Sequence, residues 1–503
     1  MKSKNLLQNI EPQRQSFEGH HIPKWVSLVV PADSPLSILK SVKDSVVRAD
    51  SFTTDSELEK TLLSIAVKSI FSADSDPKAI RIVLLNDHEG KALVLLPANM
   101  LLNLVSIWKH SGRHLQPVRG RDAVKFFSQA ALKAEAGQEK LFHLPVFLDQ
   151  SLKDYDSFNV IESYTGLAFE AHKKWFTSSL SLCVLGMTPQ MIEKHQPEGS
   201  DEQVITRAVE RFTTLRIQQR LEDTLGLPPL APSMKRLIEL RSDPSAGIDD
   251  LVPLVRGDAS LAAQVMSWAA SPYYAAPGDV HSVEDAVIRV LGFDLVVNLA
   301  LGVAMGKTLT VPDDTPRDGV PYWQQSVYTA AAAELLCKKI PAEIRPKPGL
   351  IYLAGLLQNF GYLVLAHLFP PHFSLLSRYI EANPHMALEF IEKQVMNVTR
   401  EQIGSWLLDD WGLPAVVVEA VRYHNDLNYD GQASDEAKLI HCVNRALRRH
   451  GLADGPVEAL DEAVLKQLTL TEADIEDALA TVLDSRGELD ALVHTIMHAQ
   501  HAH

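Results

Sequence analysis

The chain is 503 residues long, 46% hydrophobic and 22% charged, with a formal net charge of −15. That length exceeds what one hydrophobic core usually supports, so two or more domains are expected, and the composition is that of a globular protein rather than a disordered or fibrous one. A net negative chain lacks the positive field that holds nucleic-acid phosphates broadly, which argues against general nucleic-acid binding and leaves only a local basic patch open.

The N-terminus, Met1-Lys2-Ser3-Lys4-Asn5, is polar and carries no signal-peptide apolar stretch. No apolar run is expected to reach the roughly 20 residues that span a bilayer, so no membrane association is expected. The three cysteines, Cys183, Cys337 and Cys442, lie far apart and suit a reducing compartment. A cytoplasmic protein is the resulting expectation.

Residues 1–28 read as a loosely ordered arm. Residues 29–180 mix strand and helix signals, giving an α/β or α+β region. Arg81-Ile82-Val83-Leu84-Leu85 and Ala92-Leu93-Val94-Leu95-Leu96 are apolar runs of strand length, separated by Asn86-Asp87-His88-Glu89-Gly90, and predict a hairpin. Val146-Phe147-Leu148-Asp149 and Phe158-Asn159-Val160-Ile161 predict two more strands. The interval from Gly120 to Phe142 favours helix.

A Pro/Gly/Ser patch from His195 to Asp201 marks a linker. Val204, Ala208, Phe212 and Leu215 then form one apolar stripe at helical spacing, so residues 181–224 read as linker and connecting helix. Residues 225–503 read as one helical domain, and the apolar stretch from Gly349 to Phe369 fits its interior.

That helical half resembles the HDOD domain, a bacterial output domain related to HD-superfamily phosphohydrolases. Leu227-Pro228-Pro229-Leu230 resembles the opening motif, and Arg256-Gly257-Asp258-Ala259-Ser260-Leu261 is similar to the D-P-x-L stretch with Ala259 in place of Pro. Ser282, Ala286, Val287 and Leu291-Gly292 follow, and Trp411-Gly412-Leu413-Pro414 precedes Glu419 to His424 in the expected order. The resemblance implies a signalling or regulatory module in which the HD metal ligands are often lost.

Here every position that the resemblance assigns to a metal ligand carries an amide. Ala354 to Gly361 stands where a His-Asp pair is expected and reads Gln358-Asn359. Gln325 stands at the first His and Asn444 at the last Asp. A divalent cation needs imidazole and carboxylate to repay its dehydration and balance its charge, and carbonyl oxygens alone supply neither. Amides can instead hydrogen-bond to one another, keeping a buried polar cluster satisfied without metal. No metal and no cofactor are therefore expected.

Residues 29–180 resemble the YbaK/prolyl-tRNA-synthetase-associated family, which implies an aminoacyl-tRNA deacylase-like fold. Ala66-Val67-Lys68-Ser69-Ile70 is similar to the strand that carries the family's functional lysine, here Lys68, and His143 to Leu152 is similar to its late L-P-V-F-V-D-x-S-L block. The family's glycine-rich loop between these blocks, whose backbone amides line the ester pocket, is replaced here by the helix-forming stretch with Gly137 as its one internal glycine.

The expected fold is multidomain, an N-terminal YbaK-like mixed sheet with helices followed by an all-α HDOD domain. The expected function is non-catalytic bacterial signal transduction through a protein partner or a small ligand, such as a nucleotide. The degenerate HD cavity would be lined by Gln325, Gln358, Asn359, His424 and Asn444. Two enzymatic alternatives remain: a deacylase using Lys68, with tRNA as partner, and a metal-dependent phosphohydrolase. His424 also reads as a structural residue, Asp409-Asp410 as a solvated helix end, and Arg445, Arg448 and Arg449 as a solvated helix face. His494, His498 and His501 have metal-competent helical spacing at a terminus where nothing specific is expected of them.

Overall fold

A computed structural model describes residues 79–176, 180–212, 232–243, 245–270, 274, 280–309 and 314–501. The expected arm, the Lys68 strand, Leu215 and residues 227–231 of the HDOD opening lie outside the described residues.

The first apolar run forms β1 (Ala79–Asp87) and the second β2 (Gly90–Pro97), paired antiparallel from Ile80↔Pro97 to Asp87↔Gly90. The turn closes because the Asp87 carboxylate accepts from the backbone N–H of Glu89 at 2.9 Å and of Gly90 at 3.2 Å. β3 (Leu101–Leu102), helix α1 (Leu104–Ser111), β4 (Gln116–Pro117), α2 (Gly120–Phe127) and α3 (Glu135–Leu141) follow. The expected strands appear as β5 (Val146–Asp149) and β6 (Ser157–Glu162), and β7 (Ala168–His172), β8 (Leu180–Cys183) and β9 (Gly186–Met187) complete the region. Among the described residues the main sheet runs β7-β6-β1-β2-β5-β8 with β4 on β1. It is mixed: β6 pairs parallel to β1, β5 parallel to β2 and β8 parallel to β5.

Both faces of this sheet are buried, which is why its central strands read as continuous apolar runs. Ile80, Ile82, Leu93, Leu95 and Val160 face a small core under α2, α3 and Trp175. Leu85, Ala92, Val94 and Leu96 point the other way and join the core of the helical half. The described residues accordingly belong to one compact unit.

The connecting helices are α4 (Pro189–Lys194) and α5 (Asp201–Phe212). The helical half then runs through α6 (Pro232–Ser242), α7 (Ile248–Gly257) and α8 (Ala259–Ala269) to a π turn at Ala286–Leu291. It continues through α9 (Gly292–Thr308), α10 (Tyr322–Lys339), α11 (Pro348–Leu357), α12 (Phe360–Leu368), α13 (Pro370–Ala382) and α14 (Leu388–Met396). The last helices are α15 (Arg400–Asp410), α16 (Ala415–Tyr423), α17 (Ser434–Arg449), α18 (Glu462–Gln467), α19 (Glu472–Asp484) and α20 (Arg486–His501).

Contrary to the sequence expectation, one apolar run, Pro348–Leu368, reaches 21 residues, with a mean hydropathy of 1.5 over an 18-residue window. That window is 83% buried inside the protein, and Gln358-Asn359 break the run into α11 and α12. Its apolarity is that of a core hairpin of helices.

Two glycines let α12 and α15 cross with their backbones in contact. A Cβ on Gly361 would sit 1.8 Å from the Arg400 carbonyl oxygen, and one on Gly404 would sit 2.7 Å from the Gly361 nitrogen. A capping box, Thr399 with Gln402, starts α15 at this crossing. The start of α15 is thereby held against the Gln358-Asn359 break, and Arg400 is placed beside it.

Candidate ligand cavity in the helical half

Gln325 lies on α10, Gln358 and Asn359 at the break between α11 and α12, His424 at the end of α16, and Asn444 on α17. The fold brings all five to the lining of one cavity of about 220 Å³. Lys68 lies outside the described residues.

The amides form two hydrogen-bonded pairs. Asn359 Nδ2 donates to Gln325 Oε1 at 3.2 Å, and Asn444 Nδ2 donates to Gln358 Oε1 at 3.1 Å. Gln325 Nε2 donates to Asp454 Oδ2 at 2.9 Å and to the Val320 carbonyl at 3.0 Å. Thr329 Oγ1 donates to Asn444 Oδ1 at 3.3 Å, and Arg400 Nη1 donates to Asn359 Oδ1 at 3.3 Å. All four amide oxygens are thus already accepting. This donor set does not fit a divalent cation: its oxygens are uncharged and committed, and a guanidinium approaches one of them.

The charges around the amides follow from burial. Burial pushes the Glu392 carboxyl up to about 7, opposed by the adjacent Arg400, whose Nε and backbone N–H both donate to it. Burial also raises Asp454, offset in part by the Val320 N–H, which donates to it at 2.9 Å. His441 is pushed down to about 3 by burial and by neighbouring Arg445, so its ring is neutral near pH 7. Its Nδ1 lies 2.8 Å from the His424 carbonyl oxygen, which can only accept, so the proton sits on Nδ1 and Nε2 keeps a lone pair. His424 is likewise held below its ordinary value by burial, with Nδ1 at 2.9 Å from the Val421 carbonyl. The structural reading of His424 therefore accounts for one ring nitrogen while the ring still lines the cavity.

Several contributors were not singled out in the sequence: Arg400, Glu401, His441 and Asp454. The capping box before Arg400 and the turn pair Asp454-Gly455 were visible signals, but neither reveals which cavity it serves. The expectation of a solvated face for Arg445, Arg448 and Arg449 is corrected. Arg445 pairs with Glu458 at 3.2 Å and Arg449 with Glu472 at 2.9 Å, while Arg448 Nε donates to the Asp454 carbonyl at 2.8 Å. Arg445 and Arg448 line the cavity. Asp409 and Asp410 are exposed at the end of α15, as expected. His494 is also exposed, and no cluster of three or more metal-competent side chains occurs among the described residues.

The HDOD domain family model matches residues 227–427. A proposed signal transduction protein of known structure from Marinobacter aquaeolei VT8 is 37% identical, with a TM-score of 0.76, covering 85% of this chain and 95% of that one. The chain carries an HDOD domain at residues 227–427. An HDOD domain protein of unknown function from Geobacter sulfurreducens is 21% identical, with a TM-score of 0.46 over 56% of this chain and 96% of that one. An uncharacterized protein from Treponema pallidum (strain Nichols) is 27% identical over 252 residues, 50% of this chain and 47% of that protein. The chain thus spans about half the length of that curated relative. The HDOD match ends before α17, so the part of the cavity formed by His441, Asn444, Arg448 and Asp454 lies downstream of it.

Proposed function

We propose that this protein is a non-catalytic regulator in signal transduction, acting through ligand or protein binding by a metal-free HDOD region. One observation carries the reading. Each amide that replaces an HD-type ligand has its oxygen engaged by a protein donor, and Arg400 brings positive charge to the place where a metal would add more. The similarity to the Marinobacter protein supports a regulatory role.

The deacylase alternative rests on Lys68 and on the block from His143 to Leu152. Within that block the buried Asp149 spends its carboxylate on the backbone N–H groups of Ser151 at 3.0 Å, Leu185 at 2.7 Å and Gly186 at 3.1 Å. That use favours a loop-holding role for Asp149 and leaves the YbaK-like assignment as a matter of scaffold. Elemental analysis of the purified protein, with native mass spectrometry of the same sample, tests the leading reading. A metal-free protein is expected; stoichiometric transition metal would overturn it.

A further inference from the structure

We propose that this cavity binds a small molecule bearing an oxyanion group, carboxylate or phosphate, held by Arg400 and Arg448, with His441 accepting a hydrogen bond from the same molecule. This rests on the reading of the region as a binding module and names its ligand class.

Three observations concern residues that line that cavity. First, Arg400 is only 5% exposed, its Nε goes to Glu392 and its Nη1 to Asn359, and its Nη2 has no partner. A buried guanidinium with an unused N–H pair is costly unless something accepts from it. Second, Arg448 has no carboxylate in ion-pair contact among the described residues, and its Nε is used on the Asp454 carbonyl. Burial, and to a smaller extent the neighbouring Arg445 and Arg400, hold this guanidinium below its ordinary pKa, against Glu458 and Asp454, which raise it. Third, His441 is 6% exposed and its Nε2 lone pair is also without a partner.

The carboxylates around the cavity offset part of the arginines' charge, Glu392 and Glu401 acting on Arg400 and Glu458 and Asp454 on Arg448, but their hydrogen-bonding capacity is used elsewhere. Glu392 is taken by Arg400, Glu458 by Arg445, and Asp454 by the Val320 N–H and Gln325. Glu401 accepts from Asn425 at 2.9 Å, and Glu389 is pushed up to about 7, chiefly by burial. Unused capacity is therefore two guanidinium donors and one neutral imidazole acceptor. A planar carboxylate or a phosphate matches the guanidinium geometry. A hydroxyl or N–H on the same molecule matches His441. At about 220 Å³ the space is roughly fifteen times what one water needs, so a metabolite-sized molecule fits.

Gly455 keeps this arrangement open. Its φ of +109° disfavours any side chain, and a Cβ there would lie 3.0 Å from Arg448 Cζ.

Isothermal titration of the full chain with inorganic phosphate and with acetate tests the proposal and separates the two oxyanion sources. Saturable one-to-one binding of at least one is expected, weakened at least tenfold by Arg448→Gln and unchanged by Arg256→Gln on the exposed surface. The hydroxyl-bearing analogue of the anion that binds, glycerol 3-phosphate or glycolate, is expected to bind more tightly, and His441→Leu to erase that gain. If Arg448→Gln fails to fold by circular dichroism, Arg448→Lys takes its place, with several-fold weaker binding expected. No saturable binding of either anion, or affinity unchanged in the Arg448 variant, overturns the proposal. Metal analysis of the same sample keeps the two readings apart: a metal-free protein that binds neither anion loses only the ligand class, whereas bound metal removes the regulatory reading beneath it.

Discussion

Arg400 Nη1 donates to Asn359 Oδ1 at 3.3 Å, so a guanidinium holds one of the cavity's buried amides. The amide cluster thus carries a cation of the protein's own, tied down by the buried Glu392. Placing His and Asp at the four amide positions is therefore not expected to create a metal centre. The quadruple variant Gln325→His, Gln358→His, Asn359→Asp, Asn444→Asp should hold less than one equivalent of divalent metal after dialysis, because Arg400 remains beside the new carboxylate. Elemental analysis decides this, and stoichiometric retention would show that Arg400 does not control the cavity.

Asn383 joins the sheet to the helical half. Its Oδ1 accepts from Arg81 Nη2 at 2.8 Å and from the Leu102 N–H at 2.6 Å, while its Nδ2 donates to the Leu102 carbonyl at 3.2 Å. Arg81 is fully buried, and burial brings its pKa down to about 9. Asn383→Ala should strand a charged donor and a backbone N–H at once, costing about 3 kcal/mol or more. Urea unfolding measures this; a loss below about 1 kcal/mol would mean that the sheet is held chiefly by its apolar face.

The crossing of α12 and α15 predicts intolerance at Gly404. An alanine Cβ would meet the Gly361 backbone nitrogen at 2.7 Å, where no flexible side chain can give way. Gly404→Ala should destabilise by about 3 kcal/mol, at the upper end for overpacking, and should shift Arg400 relative to the amides. A midpoint of urea unfolding equal to that of the parent chain would refute the close crossing.

His441 predicts an acid-side loss of stability. Its pKa falls from 6.5 to about 3 on folding, so the neutral ring contributes stability that is present above pH 6.5 and lost as pH falls toward 3. Glu389, raised from 4.5 to about 7, acts in the opposite sense between those values, so the comparison must be with a variant and not with pH alone. Relative to His441→Asn, the parent chain should lose stability below pH 6.5, with a slope of at most about 1.4 kcal/mol per pH unit. Parallel stability curves for the two proteins would show that the ring is not held neutral.

The sequence by itself determined the central strands and the HDOD resemblance. The apolar runs of β1 and β2 and the turn at Asp87 to Gly90 are local signals, and local signals are read along the chain. The amides at 325, 358, 359 and 444 were legible because the surrounding motifs are contiguous. Tertiary structure alone decided what those amides do. Arg400, His441 and Asp454 reach the same cavity from separate elements, and no spacing in the sequence ties them to Gln325 or Asn359. The same holds for the arginines of α17, whose helical spacing suits a solvated face equally well. Only the packing of α17 against α10 and α16 turns two of them inward, because burial is a property of neighbours and not of periodicity. Likewise, the apolar run from Pro348 to Leu368 has the length of a membrane span, and the protein core around it is what makes it an interior pair of helices.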